Sequence, residues 1–360
     1  MKYQFEFDPV NEKDEYLTLE NDHLFEKISE KINQTKSLID EYPKKWEVAK
    51  KMIHEYEYIY TSSYRKNVSK ISPISRSYFK FKEIFHTYNL VNRDIRNKIV
   101  CLAEAPGGFI QSINHSLTSS IENIRGITLL SEDKSVPKWN NMLKRYPNTI
   151  FEYGTKGTGD LYDFMNVISM IKKIGKSSIH LITGDGGLDY SSDYSKQEEN
   201  SLKLIYSEIF MALNLQVKGG SFICKLFDLF QRGTIMLINI LRLSYKEVYI
   251  HKPKVSRYSN SEKYIVCLGY KGYNKDIISL LCHHFKENDL NMPVSKNFVN
   301  DIVEINRIYC ENQIVHINRG IDIIKKSSLS FSPTKNQLEL ALKWCEEYDI
   351  QINQKCIYLR

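Results

Sequence analysis

Residues 99–117, IVCLAEAPGGFIQSINHSL, place a short apolar run, a Pro-Gly-Gly turn and an amphipathic segment in direct succession. The run 99–102 predicts a buried strand, and the apolar spacing from Phe109 onward predicts a helix. Glycines between a strand and a helix let a ligand approach the backbone closely, although Pro-Gly-Gly is also typical of an ordinary tight turn. The spacing is not Gly-x-Gly-x-x-Gly, and no P-loop lysine follows Gly108. Neither a dinucleotide nor a nucleoside triphosphate is therefore favoured.

Short apolar runs continue to alternate with helical patterns after this stretch. Strand candidates lie at 124–130, 178–182, 221–224 and 264–267, and helix candidates at 160–172 and 198–215. Strands that alternate with helices indicate a mostly parallel sheet covered on both faces. We therefore predict a Rossmann-like α/β fold for residues 66–272.

The segments on either side of this pattern are expected to be helical. Residues 23–61 carry apolar residues at helical spacing, and Pro43 divides them into two helices because proline cannot donate to the preceding turn. Residues 273–360 return to helical periodicity, with Ser332 as N-cap and Pro333 at the first position of the last helix. The predicted organisation is a helical N-terminal extension (1–65), an α/β domain (66–272) and a helical C-terminal region (273–360).

The composition of the 360 residues is that of a globular protein, with 42% hydrophobic and 26% charged residues. A net charge of +7 suits a polyanionic partner but does not identify one. Seven cysteines without paired spacing, and an opening MKYQFEFDP without an apolar signal region, predict a reducing intracellular location. That location would be cytoplasmic, including a viral replication site, or nuclear. No stretch approaches ~20 apolar residues, so we expect no membrane span.

Four charged residues stand in distinctive local sequences: Lys80 in SRSYFKFKEI, Asp185 in HLITGDGG, Lys225 in GGSFICKLF and Glu262 in NSEKYIVCLG. Lys225 interrupts an apolar strand pattern, and burying an unpaired lysine costs several kcal/mol. Each of the others has an ordinary explanation when taken alone. Lys80 could be a solvated charge on a helix, Asp185 a turn former and Glu262 a surface residue of a hairpin.

The glycine loop together with this ordered Lys-Asp-Lys-Glu set resembles the FtsJ/RrmJ-like ribose 2'-O-methyltransferases. The segment CLAEAPGGFIQSINHSL is similar to the S-adenosylmethionine loop of this superfamily. Its Glu-Ala-Pro-Gly form, followed by Asn-His, looks most like the Adrift-type cap methyltransferases. Asp185-Gly186-Gly187 also looks like the cap-methylating branch, because the ribosomal-RNA branch usually reads Asp-Met-Ala-Pro there. The resemblance covers about 200 of the 360 residues and implies a Rossmann-like methyltransferase sheet.

The resemblance implies S-adenosylmethionine as the cofactor. Many relatives carry an acidic residue at the position of Cys101, whereas here Glu104 is the candidate for the methionine ammonium. Asp160, in GTGDLYD, matches a motif that approaches the adenine end, and its alternative role is a helix N-cap. Asp133 could instead touch the ribose. The cofactor-binding candidates are Glu104, Ala105, Pro106, Gly107, Gly108, Phe109, Asp160 and Asp185.

The four charged residues are the implied catalytic set. A ribose 2'-hydroxyl is a poor nucleophile, so its reaction needs in-line placement and somewhere for the proton to go. A lysine acts as a base only when its pKa falls, through desolvation or a nearby cation. We predict that Lys80 depresses the pKa of Lys225, while Asp185 and Glu262 orient the two ammonium groups. Carboxylates alone would raise that pKa, so the balance decides the working pH. Lys225 is assigned to accept or steer the hydroxyl proton, and Asp185 to lie between nucleophile and cofactor.

Cations and aromatic residues flank two members of this set. Such mixtures suit single-stranded RNA, with phosphates held by charge and bases by aromatic faces, although two solvated loops are the alternative. The RNA-binding candidates are Arg65, Lys66, Arg76, Lys252, Arg257 and Tyr258.

Cys282-His283-His284 and Cys310 lack the spacing of a zinc site, so we predict core packing and surface histidines there, without a metal. The leading hypothesis is an S-adenosylmethionine-dependent RNA ribose 2'-O-methyltransferase that acts on the first or second transcribed nucleotide of capped mRNA. The alternatives are a ribosomal- or transfer-RNA methyltransferase and a non-catalytic cap- or RNA-binding subunit. The expected partners are RNA, foremost capped mRNA, and other capping or transcription proteins, with no membrane.

Overall fold

The computed structural model describes residues 1–5, 16–17, 25–187, 196–287, 290–326 and 332–360. The strands are β1 (Lys2–Gln4), β2 (Tyr16–Leu17), β3 (Asn97–Leu102), β4 (Ile121–Ile127), β5 (Thr149–Glu152), β6 (Ile179–Gly184), β7 (Gln216–Leu226), β8 (Tyr245–His251), β9 (Lys263–Tyr270) and β10 (Val294–Ser295). The helices are α1 (Glu26–Ser37), α2 (Pro43–Met52), α3 (Ser77–Thr87), α4 (Gly108–Leu117), α5 (Phe164–Ile174), α6 (Gln197–Leu215), α7 (Arg232–Ser244), α8 (Lys275–His283), α9 (Lys296–Lys326) and α10 (Lys335–Glu347).

A central sheet runs in the order β1-β8-β9-β7-β6-β3-β4-β5, while β2 and β10 form a separate pair. The strands from β7 to β5 are parallel, whereas β9, β8 and β1 extend the sheet in antiparallel pairing. Parallel strands with both faces covered are expected to be apolar runs, as β3, β6 and β7 are. The predicted α/β class and mostly parallel sheet are therefore confirmed.

Alternate residues of β3 enter two separate cores, as the period of two along a strand requires. Ile99 and Cys101 are fully buried in the core that α3 and α4 cover. Val100 and Leu102 are fully buried in the larger core formed with α5, α6 and α7. The sheet is thus covered by helices on both faces.

The flanking helices pack on each other and on the sheet. Pro43 begins α2, so the predicted division of the N-terminal segment into two helices is confirmed. Trp46 of α2 packs in a cluster with Cys310 and Ile317 of α9. Trp344 of α10 packs against the ring of Phe79 on α3. The N-terminal segment also supplies the edge strand β1, which is too short for an apolar pattern to reveal.

Several element boundaries differ from the predictions. The second predicted strand stops at Ile127 instead of residue 130. Helix α5 begins at Phe164 rather than at residue 160, because the Asp163 side chain caps it by accepting from the Asn166 amide. Asp160 is therefore not the N-cap. The last helix begins at Lys335, because Thr334 and Gln337 form a reciprocal capping box. The prediction that Ser332 caps this helix is therefore wrong.

None of the helices in the described ranges combines the length and the apolar character that a membrane span requires.

Candidate active site

Four distant segments of the chain meet at the carboxyl edge of the parallel strands. Lys80 lies on α3, Asp185 follows β6 directly, and Lys225 is the last but one residue of β7. Since β6 and β7 are parallel, both end at this edge, and the antiparallel strand β9 begins there just after Glu262. The sheet topology therefore brings the predicted set together.

The four residues form two ion pairs. Lys80 Nζ lies 2.7 Å from Glu262 Oε1 and 2.8 Å from Oε2. Lys225 Nζ donates to the main-chain oxygen of Asp185 at 2.8 Å and lies 3.4 Å from its Oδ1. The four side chains are between 12% and 15% exposed, so each charge is largely removed from water and needs its partner.

Two hydroxyl groups that sequence reasoning missed fix the carboxylates. Tyr264 donates from its hydroxyl to Asp185 Oδ1 at 2.8 Å, and Ser256 donates to Glu262 Oε1 at 2.7 Å. Tyr264 lies directly opposite Lys225 in the pairing of β7 with β9. It is also two residues beyond Glu262, so strand alternation could have placed it on the same side.

The pKa of Lys225 is raised, and the prediction that Lys80 depresses it is wrong. Burial by itself lowers the pKa of Lys225, but Asp185, Glu262 and Glu208 outweigh burial. Lys80 does not repel Lys225 effectively because Glu262 neutralises its charge at 2.7 Å. Lys225 is therefore an ammonium at neutral pH in the free protein.

The pKa of Glu262 is lowered to about 2, since Lys80 and Lys225 outweigh the opposing effect of burial. A lowered pKa means that the ionised group stabilises the fold above about pH 4.5, and that this contribution disappears as the pH falls toward 2. We expect Glu262→Gln to lower the free energy of unfolding by about 3 kcal/mol at pH 7. The difference from the wild type should shrink between pH 4.5 and 2.

Urea unfolding at a series of pH values measures this prediction. Glu339→Gln is the matched control, because Glu339 is 52% exposed in a loose pair with Lys335. It should change the unfolding free energy by less than about 0.5 kcal/mol. A Glu262→Gln deficit that stayed constant down to pH 2 would contradict the lowered pKa.

The glycine loop is shaped by the packing of the protein itself. Gly107 has φ +110° at the start of α4, and a Cβ there would lie 2.6 Å from a methyl group of Leu143. A Cβ on Gly108 would lie 2.2 Å from Ser77 Oγ. The glycines are thus required by neighbours on the protein, whereas the sequence had suggested close approach of a ligand.

Glu104 is a buried carboxyl with one unused oxygen. It is 3% exposed, and its Oε1 accepts from the Phe109 amide at 2.6 Å. Its Oε2 has no hydrogen-bond partner among the described residues. Burial and the nearby Asp185 charge raise the pKa of Glu104 well above its ordinary value. A cationic ligand would satisfy this oxygen.

The remaining loop candidates have different surroundings. Ala105 and Pro106 are half-buried on the loop. The Phe109 ring is fully buried 4.9 Å from the ring of Phe81, so its side chain builds the core and the prediction that it touches the cofactor is wrong for the ring. Asp160 is half-buried and accepts from the Tyr162 amide at 2.8 Å.

Asp160 and Asp133 both lie beyond the carboxyl ends of strands. The Leu130 amide donates to the main-chain oxygen of Thr158 at 2.7 Å. This hydrogen bond connects the loop that contains Asp160 to the segment that follows β4. Asp133 is exposed and accepts from the Ser135 amide at 2.8 Å. Asp160 therefore remains the better candidate for the adenine end of a cofactor.

Some of the predicted RNA-binding cations lie at or near the surface, and others are hydrogen-bonded within the protein. Arg65 is exposed and Lys66 half-buried on a short 3-10 turn. Arg76 donates to the main chain of Val255 and Tyr60, at 3.1 and 3.2 Å. It therefore connects two segments of the protein.

Lys252 is 3% exposed, so the prediction that it contacts RNA at the surface is wrong. Its Nζ donates to the main-chain oxygens of Asn260 and Glu262, at 2.8 and 2.6 Å. Arg257 makes a bidentate pair with Glu57 at 2.8 and 3.0 Å and is half-buried. The Tyr258 ring packs 5.1 Å from the ring of His316.

A cavity of about 360 Å³ opens beside the two ion pairs. Lys225, Glu262 and Gly187 line it on the sheet side. The other lining residues are Lys36, Ile39, Trp46, Lys50, Gln197, Phe227, Arg257, Ser259, Asn260, Ser261 and Gln313. Glu208, also missed from the sequence, lies buried beneath Gly184 and Gly186 with its Oε2 3.0 Å from Cys224 Sγ.

The cysteine and histidine cluster shows no metal geometry. Cys282 is exposed, whereas Cys310 is 3% exposed in the core between α1, α2 and α9. Across the described ranges, no group of three or more potential ligands is placed to hold a metal ion.

Comparisons with known proteins cover the part of the chain that carries these four residues. Residues 73–270, more than half of the chain, fit the family model described as FtsJ-like methyltransferase. Cap-specific mRNA (nucleoside-2'-O-)-methyltransferase 2 of Drosophila melanogaster is 30% identical over 237 residues, which are 60% of this chain and 33% of that protein. Inactive cap-specific mRNA (nucleoside-2'-O-)-methyltransferase 1B of Caenorhabditis briggsae is 29% identical over 189 residues, 46% of this chain and 22% of that protein.

A solved Plasmodium falciparum structure described as a ribosomal RNA methyltransferase aligns with 55% of this chain and 99% of its own, at 23% identity and a TM-score of 0.41. The chain spans about a third or less of the length of the two curated relatives. Membership of a methyltransferase family agrees with the predicted methyl donor, S-adenosylmethionine. With its strand–loop–helix segment and its four paired charges inside the matched range, the chain belongs to the FtsJ-like methyltransferase family.

Proposed function

We propose that the protein is an S-adenosylmethionine-dependent RNA ribose 2'-O-methyltransferase that acts on capped mRNA, at the first or second transcribed nucleotide. The observation that carries the proposal is the set of two largely buried ion pairs, Lys80–Glu262 and Lys225–Asp185, at the strand edge beside the glycine loop. The names of both curated relatives refer to cap-specific mRNA, which supports capped mRNA as the acceptor.

The residues of the loop fit the proposed cofactor. The unused, buried Oε2 of Glu104 suits the methionine ammonium, and a cation there would also keep Glu104 ionised. Asp160, beyond the end of β5, is assigned to the adenosine part. When bound, S-adenosylmethionine supplies an electrophilic methyl group on a sulfonium ion. The chain itself must supply placement and electrostatics.

Lys225 is assigned to steer the ribose hydroxyl. As an ammonium it cannot accept the hydroxyl proton, but it can donate a hydrogen bond to the ribose oxygen and direct a lone pair at the methyl carbon. Asp185 holds the Lys225 ammonium in place, and Tyr264 holds Asp185. The oxygen–carbon bond would form as the bond between the methyl carbon and the sulfonium sulfur breaks, and the hydroxyl proton would leave to water. Of the two roles that the sequence left open for Lys225, the raised pKa favours steering.

A non-catalytic RNA-binding subunit is the second candidate, because one relative is named inactive. Against it stand the four contacting charges of this chain. A non-catalytic RNA-binding subunit would not require a lysine at the end of an apolar strand. Lys225 is only 12% exposed there, and burying a lysine without a partner costs several kcal/mol.

Transfer of a labelled methyl group to three short RNAs tests the proposal. The RNAs share one sequence and end in a methylguanosine cap, an unmethylated guanosine cap or a triphosphate, and nuclease digestion then locates the label. We expect label on the ribose of nucleotide one or two of capped RNA only. Equal label on the triphosphate RNA would overturn the cap assignment, and RNA binding without label on any RNA would favour the non-catalytic subunit.

A further inference from the structure

Part of the wall of the cavity beside Lys225 lies outside the residues that match the family model. That model covers 73–270, whereas Lys36 belongs to α1, Trp46 and Lys50 to α2, and Gln313 to α9. These helices face the end of β7, where Lys225 and Glu262 lie. A ligand in this cavity would therefore contact segments outside the range that the family model covers.

The described wall of this cavity is strongly cationic. Its charged residues are Lys36, Lys50, Lys225 and Arg257 on the positive side and Glu262 alone on the negative side. Lys36 pairs with Asp228, Lys50 with Glu47 and Arg257 with Glu57. None of these three carboxylates lines the cavity. Since the cations face the cavity and their counter-charges do not, the cavity favours an anionic ligand.

Two of these cations are held rigidly before any ligand binds. Lys36 Nζ lies 2.7 Å from Asp228, with both side chains under 10% exposed. Arg257 is oriented by two hydrogen bonds to Glu57, which is buried. Fixed charges reduce the ordering cost of binding, so they favour a specific ligand over diffuse attraction.

Lys50 is placed to exchange its partner for a phosphate. Its side chain is 20% exposed and pairs with Glu47, which is 57% exposed three residues earlier on α2. A pair in which the carboxylate is largely in water contributes little to stability, so breaking it costs little. A phosphate oxygen beside Lys50 would gain a charge-assisted hydrogen bond in return.

The rest of the wall suits a nucleoside. Ile39, Trp46 and Phe227 supply apolar surface next to the cations, and Gln313 and Asn260 supply amide groups. A volume of about 360 Å³ lies in the range of small-ligand sites. Apolar surface, amides and cations together match a nucleotide better than an inorganic anion or an apolar chain.

We propose that this cavity binds a nucleotide of the acceptor RNA adjacent to the one that is methylated, with Lys50 and Arg257 at its phosphate. Helices α1 and α2 then act as an RNA-binding element that the methyltransferase core does not contain. The proposal rests on the proposed function, since it takes RNA as the acceptor. RNA binding can nevertheless be measured without methyl transfer.

Lys50→Glu and Lys44→Glu form a matched pair of variants. Both lysines lie on α2 and both changes reverse one charge, but Lys44 is exposed and does not line the cavity. The probe is a fluorescent capped RNA of about ten nucleotides, titrated with each full-length protein. We expect Lys50→Glu to raise the Kd for RNA at least tenfold and Lys44→Glu to change it less than threefold. In Lys50→Gln, the slope of log Kd against log salt should fall by about 0.7, the value for one lost phosphate contact on a single strand.

The outcomes separate this proposal from the proposed function. Equal Kd values for Lys50→Glu, Lys50→Gln and wild type would overturn the proposal, even if the wild type methylates capped RNA. RNA binding that depends on Lys50, without methylation of any RNA, would support nucleotide binding by this cavity, but it would contradict the proposed function and with it the position next to a methylated nucleotide. If poly-glutamate of the same charge competed as well as RNA, and depended equally on Lys50, the cavity would be a general anion site and the nucleotide assignment would fall. An unchanged Kd for S-adenosylmethionine in all three lysine variants controls for folding.

Discussion

Replacing Lys225 by alanine is expected to lower kcat for RNA methylation by at least about 10³-fold. The Lys225 ammonium lies 2.8 Å from the Asp185 main-chain oxygen. The carboxylates of Asp185 and Glu262 both raise the pKa of Lys225. Alanine removes the donor that orients the ribose oxygen and stabilises the charge that develops on it. The loss should appear in kcat with little change in KM, because the interaction strengthens in the transition state.

Lys218→Ala is the matched control for this variant, since Lys218 is an exposed lysine on the same strand, β7. It should leave kcat within about twofold of wild type. The Kd for S-adenosylmethionine, measured by calorimetry, and the circular dichroism spectrum should stay unchanged in Lys225→Ala. A variant that loses RNA binding in proportion to activity, or fails to fold, would contradict the catalytic assignment of Lys225.

The second large effect is expected at the cofactor. Glu104→Gln should raise the Kd for S-adenosylmethionine about 10- to 100-fold, the usual loss for one hydrogen bond to a charged group. Glutamine keeps an oxygen that can accept from the Phe109 amide, so the loop should hold its shape. Burial and Asp185 raise the pKa of Glu104, and only its ionised form pairs with an ammonium. Wild-type affinity should therefore rise with pH, and this dependence should disappear in the variant.

Methylthioadenosine is the control ligand for Glu104, because it keeps the adenosine and sulfur but lacks the amino-acid part. Its Kd should be the same for wild type and Glu104→Gln in calorimetric titrations. A parallel loss of affinity for both ligands would mean that Glu104 only supports the loop. No loss for either ligand would remove Glu104 from the cofactor site.

The fold could be predicted where the sequence carries its own pattern. The apolar runs within β3, β6 and β7 predict buried parallel strands, and Pro43 predicts the break between α1 and α2. The edge strand β1 could not be found, because three residues are too short for periodicity. The starts of α5 and α10 depend on which of several polar side chains reaches back to the helix amides, and sequence alone does not rank them.

The site could be predicted as a set of residues but not as an electrostatic balance. Motif order brought Lys80, Asp185, Lys225 and Glu262 together correctly. The sign of the Lys225 pKa shift depends on which carboxylate neutralises which lysine, and that is decided by distances of a few ångströms. Lys252 shows the same limit, since a lysine in a basic segment can point inward to main-chain oxygens.

Methyl transfer to capped RNAs that lack single ribose hydroxyls tests the central claim most directly. Four RNAs of one sequence would carry 2'-deoxyribose at nucleotide one, at nucleotide two, at both or at neither. The proposed steering of a ribose hydroxyl by Lys225 predicts that one of the two singly substituted RNAs loses transfer, because it lacks the hydroxyl that is methylated. The other singly substituted RNA should keep transfer. Undiminished transfer to the RNA that lacks both hydroxyls would show that the methyl group goes to a base or to the cap guanosine, and would contradict ribose methylation by this site.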